Sequence, residues 1–566
     1  MEIDTVFGEL ADRYLEHFLK GAPVSATGLG DHRYDSFLDQ VDEASRHRAV
    51  QSARGFLIEL EVIDRSKLSR DNQVDYALLN QALQKEIWKI ETLREWEWNP
   101  LVYSGLPGDA IYSLMSRDFS PLDHRLADAA KRCREFPRFF EEARKSLVPG
   151  LVPPIHAETA VDQNKGIIKL IDSFLTSELE SLSADAKRDL EESIELASQA
   201  VEAHQIWLEK ELFPKAKGNP RIAEKLFREK FSFDLFSSLS PEALRARAEA
   251  GMATLHEEMY QLSIQILASR MPGFTPEATP SNAGKKELIR QCLEFASEDA
   301  PRAEEVVAAA NHSLEITTKF VQENELAHLP DTPVEIIVMP EFRRGVSVAY
   351  CDAPGPLEEG GKTFYAVSPP PQNWTEEQVQ SFLREYNHRS LHNLTVHEAM
   401  PGHYVQLWRS NENSSRLRSV LSSGTFIEGW AVYSESMMMD EGFLPGDLLM
   451  RLVVKKWNLR GLANALLDQM IHLDGIDEET AMTLMVDDAF QEEREAAGKY
   501  RRSLLTSVQL STYFAGYIEV VGIRAEAERV WGSDFKLSTF HNRLMSFGSP
   551  PPAFVKALLL DEPIPG

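Results

Sequence analysis

The stretch HEAMPGH, His397 to His403, places two histidines and a glutamate around a Pro-Gly pair. In the pattern H-E-x-x-H, two histidines four residues apart share one helical face and bind zinc, while the glutamate serves as a general base. Here the histidines are six residues apart, which separates them by roughly 240° around an undistorted helix. Pro401 lacks an N–H group and clashes with the carbonyl of His397, and Gly402 permits unusual dihedral angles. The sequence therefore predicts a helix interrupted at Pro401-Gly402, with His403 returned to the side of His397.

A second stretch, GTFIEGWAVYSES at 424–436, supplies the third ligand that a catalytic zinc needs. Glu428 follows His403 by twenty-five residues, about the distance at which a second helix brings a glutamate to the metal in gluzincins. We expect one zinc per chain, bound by His397, His403 and Glu428. Glu398 is expected to be the general base. Glu435 falls on the same helical face as Glu428, where it can accept a hydrogen bond from a ligand histidine.

Two alternatives remain open for these histidines. His397 and His403 are also compatible with a pair of hydrogen-bonded histidines at a kinked helix. His388 and His392 are four residues apart, which suits a metal on a regular helix, but no glutamate follows either of them. We interpret His388 and His392 as residues that pack the helix or support the ligands.

The C-terminal segment 500–519 carries candidate substrate-binding groups. A helical projection places five of its residues within an arc of about 100°: Arg502, Gln509, Tyr513, Gly516 and Tyr517. Tyr513 is the first candidate for a donor that stabilises an oxyanion, and Tyr517 is the second. Arg502 is suited to bind a substrate carboxylate in bidentate fashion. The alternative is a set of core tyrosines beside a salt-bridged arginine.

Three further features are candidates for shaping a substrate site. Asp468 and His472 belong to an i,i+4 ladder in which the aspartate orients the histidine toward bound substrate, or in which both line a polar seam between helices. The segment KTFYAVSPP, 362–370, has the composition of an edge strand that could pair with an extended peptide. Arg343 and Arg344 place local positive charge in an acidic chain.

Composition limits the class of protein. The 566 residues carry a formal net charge of −28, which disfavours general binding to nucleic acid or to anionic membranes. The three cysteines are scattered, as in a reducing compartment. The first residues lack the basic and apolar regions of a signal peptide, and no apolar run is long enough to span a membrane. We expect a cytoplasmic protein.

Helical periodicity dominates the chain, and short β-branched and aromatic segments occur between about 333 and 368. The Pro- and Gly-rich segment 271–284 is the best candidate for a boundary between lobes. The sequence predicts a mainly α, two-lobed protein, with an N-terminal helical lobe at 1–275 and a zinc-site lobe at 285–566. A small antiparallel sheet is expected beside the active-site helix.

These motifs carry a family likeness. HEAMPGHYVQ followed by EGWAVYSES resembles the bacterial family catalogued as domain of unknown function 885, and PVSATGLGDHRYD (23–35), LDQMIHLDG (467–475) and segment 502–517 are similar to other blocks of that family. The resemblance implies a gluzincin-like peptidase lobe related to the folds of thimet oligopeptidase and angiotensin-converting enzyme. It also implies zinc on His397, His403 and Glu428. The chain departs from many members at Ser507-Val508, where they have Pro-Gly before the glutamine.

The sequence therefore predicts a zinc metallopeptidase, a hydrolase that acts on short peptides. One alternative is a zinc amidase or esterase with a non-peptide substrate. Another is a catalytically inactive helical binding protein that retains a structural metal. The sequence leaves open the oligomeric state and the choice between exopeptidase and endopeptidase action.

Overall fold

A computed structural model describes residues 2–339, 348–358, 360–371 and 374–565 of the chain. Within these residues the protein is mainly helical, with three short strands. The first fourteen helices precede the strands: α1 (Glu2–Gly21), α2 (Pro23–Leu29), α3 (Glu43–Glu61), α4 (Arg70–Trp88), α5 (Glu95–Trp98), α6 (Leu101–Met115), α7 (Leu122–Arg134), α8 (Phe136–Ser146), α9 (Pro154–Phe174), α10 (Ala184–Trp207), α11 (Glu224–Leu235), α12 (Pro241–Arg270), α13 (Asn282–Ser297) and α14 (Val306–Glu323).

The remaining helices follow the strands and include those that carry the predicted site. They are α15 (Glu376–Glu385), α16 (His388–Glu398), α17 (His403–Asn411), α18 (Arg416–Val420), α19 (Gly424–Asp440), α20 (Leu448–Gln469), α21 (Glu478–Met482), α22 (Glu493–Leu505), α23 (Ser511–Trp531), α24 (Leu537–Ser546) and α25 (Pro552–Leu560). Among the described helices, none is long and apolar enough to cross a bilayer.

The sheet consists of β1 (Glu335–Val338), β2 (Ala349–Asp352) and β3 (Phe364–Val367), in the order β1-β3-β2. β3 pairs with β2 in antiparallel and with β1 in parallel orientation. The sheet is therefore mixed, and the expectation of an antiparallel sheet was wrong. That expectation assumed that strands adjacent in sequence pair with each other, whereas β3 inserts between β1 and β2. The segment KTFYAVSPP was expected to supply an edge strand, but it contains β3, the central strand. The edge strand that contacts α16 is β2.

Three large groups of buried apolar side chains hold the helices together. One joins helices α6 to α10, another joins α11, α12 and α13 to α20, α22 and α23, and a third surrounds α14, α16, α19 and the sheet. The helices on both sides of 271–281 thus share one core with α20. The division into lobes at 1–275 and 285–566 stays a prediction.

Helices α19 and α23 pack with their backbones in contact. A Cβ atom built on Gly429 would lie 2.4 Å from the carbonyl carbon of Gly516, and one built on Gly516 would lie 2.0 Å from the carbonyl oxygen of Thr425. Only glycine at both positions permits this approach, since real Cβ atoms do not come so close to backbone. The crossing places Glu428, which precedes Gly429, beside the helix that carries Tyr513.

Candidate metal centre

The two histidines of HEAMPGH lie on separate helices that meet at a sharp turn. α16 ends at Glu398 and α17 begins at His403. The Gly402 N–H donates to the carbonyl of Val396 at 2.9 Å, and a Cβ atom on Gly402 would lie 1.9 Å from the His397 carbonyl oxygen. Glycine is therefore required at this turn, which returns the His403 ring to within 4.8 Å of the His397 ring, centroid to centroid.

Trp430 of α19 fixes the turn from the other side. Its indole N–H donates to the carbonyl of Pro401 at 2.9 Å. Because Trp430 lies two residues after Glu428, the same helix that holds the turn also presents the third candidate ligand.

The side chains of His397, His403 and Glu428 converge, with one ligand atom from each within 4.8 Å of the others. The Oε2 atom of Glu428 lies 3.5 Å from Nε2 of His397 and 3.6 Å from Nε2 of His403. Both distances exceed those of a good hydrogen bond. They are close to the separation of roughly 3.4 Å between two ligands that bind zinc tetrahedrally at 2.0–2.1 Å. Among the described residues, this buried oxygen has no hydrogen-bond partner, as a metal ligand requires.

The charges of this group favour the ligand form of the glutamate. Burial alone would raise the pKa of Glu428, but the two histidines outweigh burial and lower that pKa far below its usual value. Burial alone would lower the pKa of His397, yet the carboxylates of Glu428 and Glu435 raise it well above its usual value. The two shifts have opposite directions because the carboxylate and the histidines attract one another, and a cation held between them would satisfy the same carboxylate.

Glu435 orients the first histidine. Its Oε1 atom lies 2.7 Å from Nδ1 of His397, and its Oε2 atom accepts a hydrogen bond of 2.6 Å from Asn393. This pairing directs Nε2 of His397 toward Glu428, which is the role expected for a carboxylate behind a metal-bound histidine. The second histidine lacks such support, since Nδ1 of His403 has no hydrogen-bond partner within the part of the chain that the structure describes.

Glu398 is buried and stands outside the ligand group. Its side chain points to edge strand β2, where the Cys351 N–H donates to Oε2 at 3.0 Å. The carboxylate keeps further acceptor capacity for a proton, because a single backbone donor occupies one of its oxygens. Neither Cys351 nor Asn393 is predictable from the sequence, because a backbone donor on a distant strand and an amide one turn before a motif leave no recognisable pattern.

Tyr513 is near Glu428 and contacts Gln509, which in turn binds Arg502 of α22. Burial and the nearby Glu428 carboxylate raise the pKa of Tyr513, while Arg502 acts in the opposite direction. The Tyr513 hydroxyl accepts a hydrogen bond of 3.4 Å from Gln509, and Arg502 donates to the amide oxygen of Gln509 at 2.7 Å. Tyr513, Gln509 and Arg502 therefore lie in one chain that begins near Glu428. Gly516 contacts α19 in this arrangement.

The structure places the other candidates elsewhere. The Tyr517 hydroxyl lies beside Ser436, farther along α19, and burial raises its pKa. The buried ring of His472 stacks on Phe227 and bonds through Nε2 to the carbonyls of Ser503 and Thr506. The polar atoms of Tyr517 and His472 thus contact other residues of the protein, α19 in the first case and the end of α22 in the second.

The remaining sequence features do not join the metal group. Asp468 accepts hydrogen bonds from Val508 and Ser511 at the start of α23. His392 bonds to Ser313 and packs against Phe443. Within the described ranges, the group of His397, His403 and Glu428 is the one set of His, Cys, Asp and Glu side chains with metal-like convergence. Arg343 and Arg344 lie outside the described residues.

The chain is thus a mainly helical protein with a small mixed sheet and a convergent His₂Glu group. Residues 23–559 match the family described as "Bacterial protein of unknown function (DUF885)", and the chain belongs to this family. No curated protein matches the chain.

Two solved structures share the fold over almost the whole chain. One is described as "a putative lipoprotein of unknown function from Shewanella oneidensis"; it is 31% identical, with a TM-score of 0.82, and the match covers 98% of this chain and 99% of that one. The other, "the putative lipoprotein from Colwellia psychrerythraea", is 16% identical, with a TM-score of 0.79 and coverage of 98% and 99%. These matches establish family and fold. The gluzincin relationship stays an implication of the motif resemblance.

Proposed function

We propose that this protein is a zinc-dependent hydrolase that cleaves short peptides. One arrangement supports the proposal. The ligand atoms of His397, His403 and Glu428 converge. The buried carboxylate of Glu398, the residue after His397, is not part of this ligand group. A purely structural zinc site uses all its protein ligands for the metal and needs no adjacent base.

The metal would be held by His397, His403 and Glu428, and Glu435 would orient His397. When bound, zinc acts as a Lewis acid that polarises a carbonyl and lowers the pKa of water. Glu398 accepts a proton from the attacking water at its carboxylate and later delivers that proton to the leaving amine. Tyr513 donates its phenolic proton in a hydrogen bond to the oxyanion that develops on the substrate.

Edge strand β2 supplies a surface for an extended substrate. The Ser368 N–H donates to the Val348 carbonyl at 2.8 Å, and alternation along an antiparallel pair then directs the backbone groups of Ala349 and Cys351 away from β3. The Cys351 N–H is already directed to Glu398. An extended peptide beside β2 would place its carbonyl groups near that carboxylate, which favours a peptide over a compact substrate.

The test combines metal content with turnover. The purified protein should contain about one zinc per chain, and Glu428→Ala should lose it. Replacement of the exposed Glu441, at the end of the same helix, by alanine is the matched control and should retain zinc. Wild-type protein should cut members of a mixed short-peptide library, and Glu398→Gln should retain zinc but lose cleavage.

The same measurements separate the two alternatives. Zinc binding with cleavage of amides or esters but of no peptide would favour the amidase or esterase. Zinc binding without hydrolysis of any of these substrates would favour a binding protein. Equal zinc content in wild type and Glu428→Ala would show that the proposed ligand group is wrong.

Location in the cell is a separate proposal. The sequence features favour the cytoplasm, whereas two structural relatives are described as "putative" lipoproteins. We retain the cytoplasm for this chain, with no nucleic acid or membrane as partner. Fractionation of cells that produce the protein from its own gene tests the assignment, and recovery with the membrane fraction would contradict it.

A further inference from the structure

Two cations of α22, the buried Lys499 and the half-buried Arg502, have no carboxylate partner among the described residues. Lys499 and Arg502 lie three residues apart on α22, and Lys499 is 7% exposed. The Lys499 ammonium donates to the amide oxygen of Gln491 at 2.7 Å, and the Arg502 guanidinium donates to the amide oxygen of Gln509 at 2.7 Å. Among the described residues, no acidic side chain forms an ion pair with either.

The surrounding charges do not compensate for them. Glu385 pairs with Lys456 at 2.7 Å and with Arg460 at 3.5 Å, and Glu495 pairs with Arg460. Two carboxylates thus face four cations when Lys499 and Arg502 are included. Burial is the main cause that lowers the pKa of Lys499 well below its usual value; Arg460 and Arg502 act in the same direction, and Glu495 and Glu385 oppose them. This excess of cations occurs in a chain whose formal net charge is −28.

An unused hydrogen-bond donor lies in the same place. The Nε2 atom of Gln491 is buried and has no hydrogen-bond partner within the described part of the chain. Gln491 is 3% exposed and already contacts Lys499 through its other amide atom. Buried donors without acceptors are costly, so this region is suited to a ligand that brings several acceptor oxygens.

Arg502 is connected to the neighbourhood of the metal group through Gln509 and Tyr513. Arg502 bonds to Gln509, and Gln509 bonds to Tyr513 on α23. The backbone of α23 touches α19 at Gly429, the residue that follows Glu428. A group bound at Arg502 would therefore lie on the side of the metal site that Tyr513 occupies.

We propose that Arg502 and Lys499 bind a carboxylate of the substrate, and that this carboxylate is the C-terminus of the peptide. The assignment rests on the proposed function and makes the enzyme one that removes a short C-terminal fragment. Arg502 matches a carboxylate through a planar pair of N–H donors, and Lys499 adds a point charge one helical turn away. An acidic side chain of the substrate offers the same chemistry, and the probes below distinguish the two sources.

The test measures binding to the Glu398→Gln protein loaded with zinc, so that it does not depend on turnover. The probes are acetyl-Ala-Ala-Ala with a free carboxylate, its C-terminal amide, and acetyl-Ala-Glu-Ala amide, titrated by calorimetry. The free acid should bind at least tenfold more tightly than the first amide. Tighter binding of the glutamate amide than of the free acid would assign the carboxylate site to acidic side chains and overturn its assignment to the C-terminus.

Substitutions in the same background locate the preference. Arg502→Gln and Lys499→Met should each reduce the ratio of acid to amide affinity toward one, whereas Arg502→Lys should retain part of it. Arg501→Gln is the matched control, because Arg501 is the adjacent residue but pairs with Glu158 on α9. Circular dichroism and thermal unfolding establish that each variant folds.

The outcomes separate this inference from the proposed function. Three outcomes would overturn the carboxylate site. The first is equal affinity for the acid and the amide, and the second is no binding of either at millimolar concentration. The third is an equal effect of Arg501→Gln and Arg502→Gln. Cleavage of acid and amide peptides at equal rates by wild type would also overturn the carboxylate site while leaving the peptidase assignment intact. A retained preference for the acid in a protein that hydrolyses no peptide would contradict the proposed function alone.

Discussion

Arg117, two residues after the end of α6, binds Asp352 at the end of edge strand β2. The Nη2 atom of Arg117 donates to both the carboxylate and the backbone carbonyl of Asp352 at 2.8 Å. Asp352 follows Cys351, whose N–H donates to Glu398. The N-terminal helices therefore set the position of the strand that holds the proposed general base.

We predict that Arg117→Met lowers kcat about 10- to 100-fold without loss of zinc. A strand displaced by about 1 Å would misdirect the Glu398 carboxylate, and misplacements of this size cost turnover of that order. The measurement is kcat beside zinc content on one cleaved peptide. Arg134→Met, which removes a half-buried arginine of α7 that pairs with Asp189 and not with the strand, should leave both unchanged. Unchanged kcat in Arg117→Met would show that β2 holds its position without this contact.

A second contact acts on the same strand from the segment after α2. His32 lies 2.9 Å from Glu358 through Nε2, and the Leu357 N–H donates to the Leu29 carbonyl at 2.8 Å. A Cβ atom on Gly30 would lie 2.3 Å from the backbone nitrogen of Glu358, and Gly30 has a φ of +89°. This explains the pattern TGLGDHRYD physically: its glycine permits the N-terminal segment to touch the loop that follows β2.

The second prediction concerns the two tyrosines of α23. Tyr513→Phe should lower kcat about 10²- to 10³-fold with little change in KM, because a donor to a developing oxyanion acts mainly in the transition state. Tyr517→Phe should change kcat less than about threefold, since the Tyr517 hydroxyl lies beside Ser436. Steady-state kinetics on one peptide compares them. Equal losses in both variants would contradict the assignment of the donor to Tyr513.

The third prediction concerns support of the ligand histidine. Glu435→Gln should weaken zinc affinity about 10- to 100-fold, because the His397 ring loses the carboxylate that fixes its tautomer. The loss should be smaller than in Glu428→Ala, which removes a ligand. Competition with a chelator of known affinity measures both, and Glu441→Gln serves as the control on the same helix. Wild-type affinity in Glu435→Gln would show that hydrogen bonding at Nδ1 does not tune this site.

Local chemistry made part of the site predictable from sequence. Pro401 and Gly402 require a break in the helix, and the seven-residue spacing of Glu428 and Glu435 puts both on one helical face, so these positions follow from short-range rules. The order of the strands does not follow from such rules, because β3 enters between β1 and β2 by pairing across the chain. The Cys351–Glu398 contact likewise depends on how a strand and a helix pack. Gly516 shows the limit of short-range rules. Its position on the same helical face as Tyr513 is predictable from spacing, but its contact with Gly429 of α19 depends on how the two helices pack.

The fourth prediction is a pH-dependent stability that arises at Glu519, on α23. Burial raises the pKa of Glu519 from 4.5 to about 7, and its Oε2 atom has no hydrogen-bond partner among the described residues. Because the folded-state pKa lies above that of the unfolded chain, folding favours the protonated carboxyl. The free energy of unfolding should therefore fall as the pH rises from about 4.5 to about 7, by up to about 3 kcal/mol at 1.36 kcal/mol for each pKa unit.

Glu519→Gln removes this dependence, so its gain in stability over wild type should be larger at pH 8.5 than at pH 5. Urea unfolding at the two pH values measures the difference, and Glu528→Gln, at an exposed position of the same helix, controls for loss of one negative charge. A gain that is equal at both pH values, or equal in the two variants, would show that Glu519 ionises in the folded protein as easily as in water.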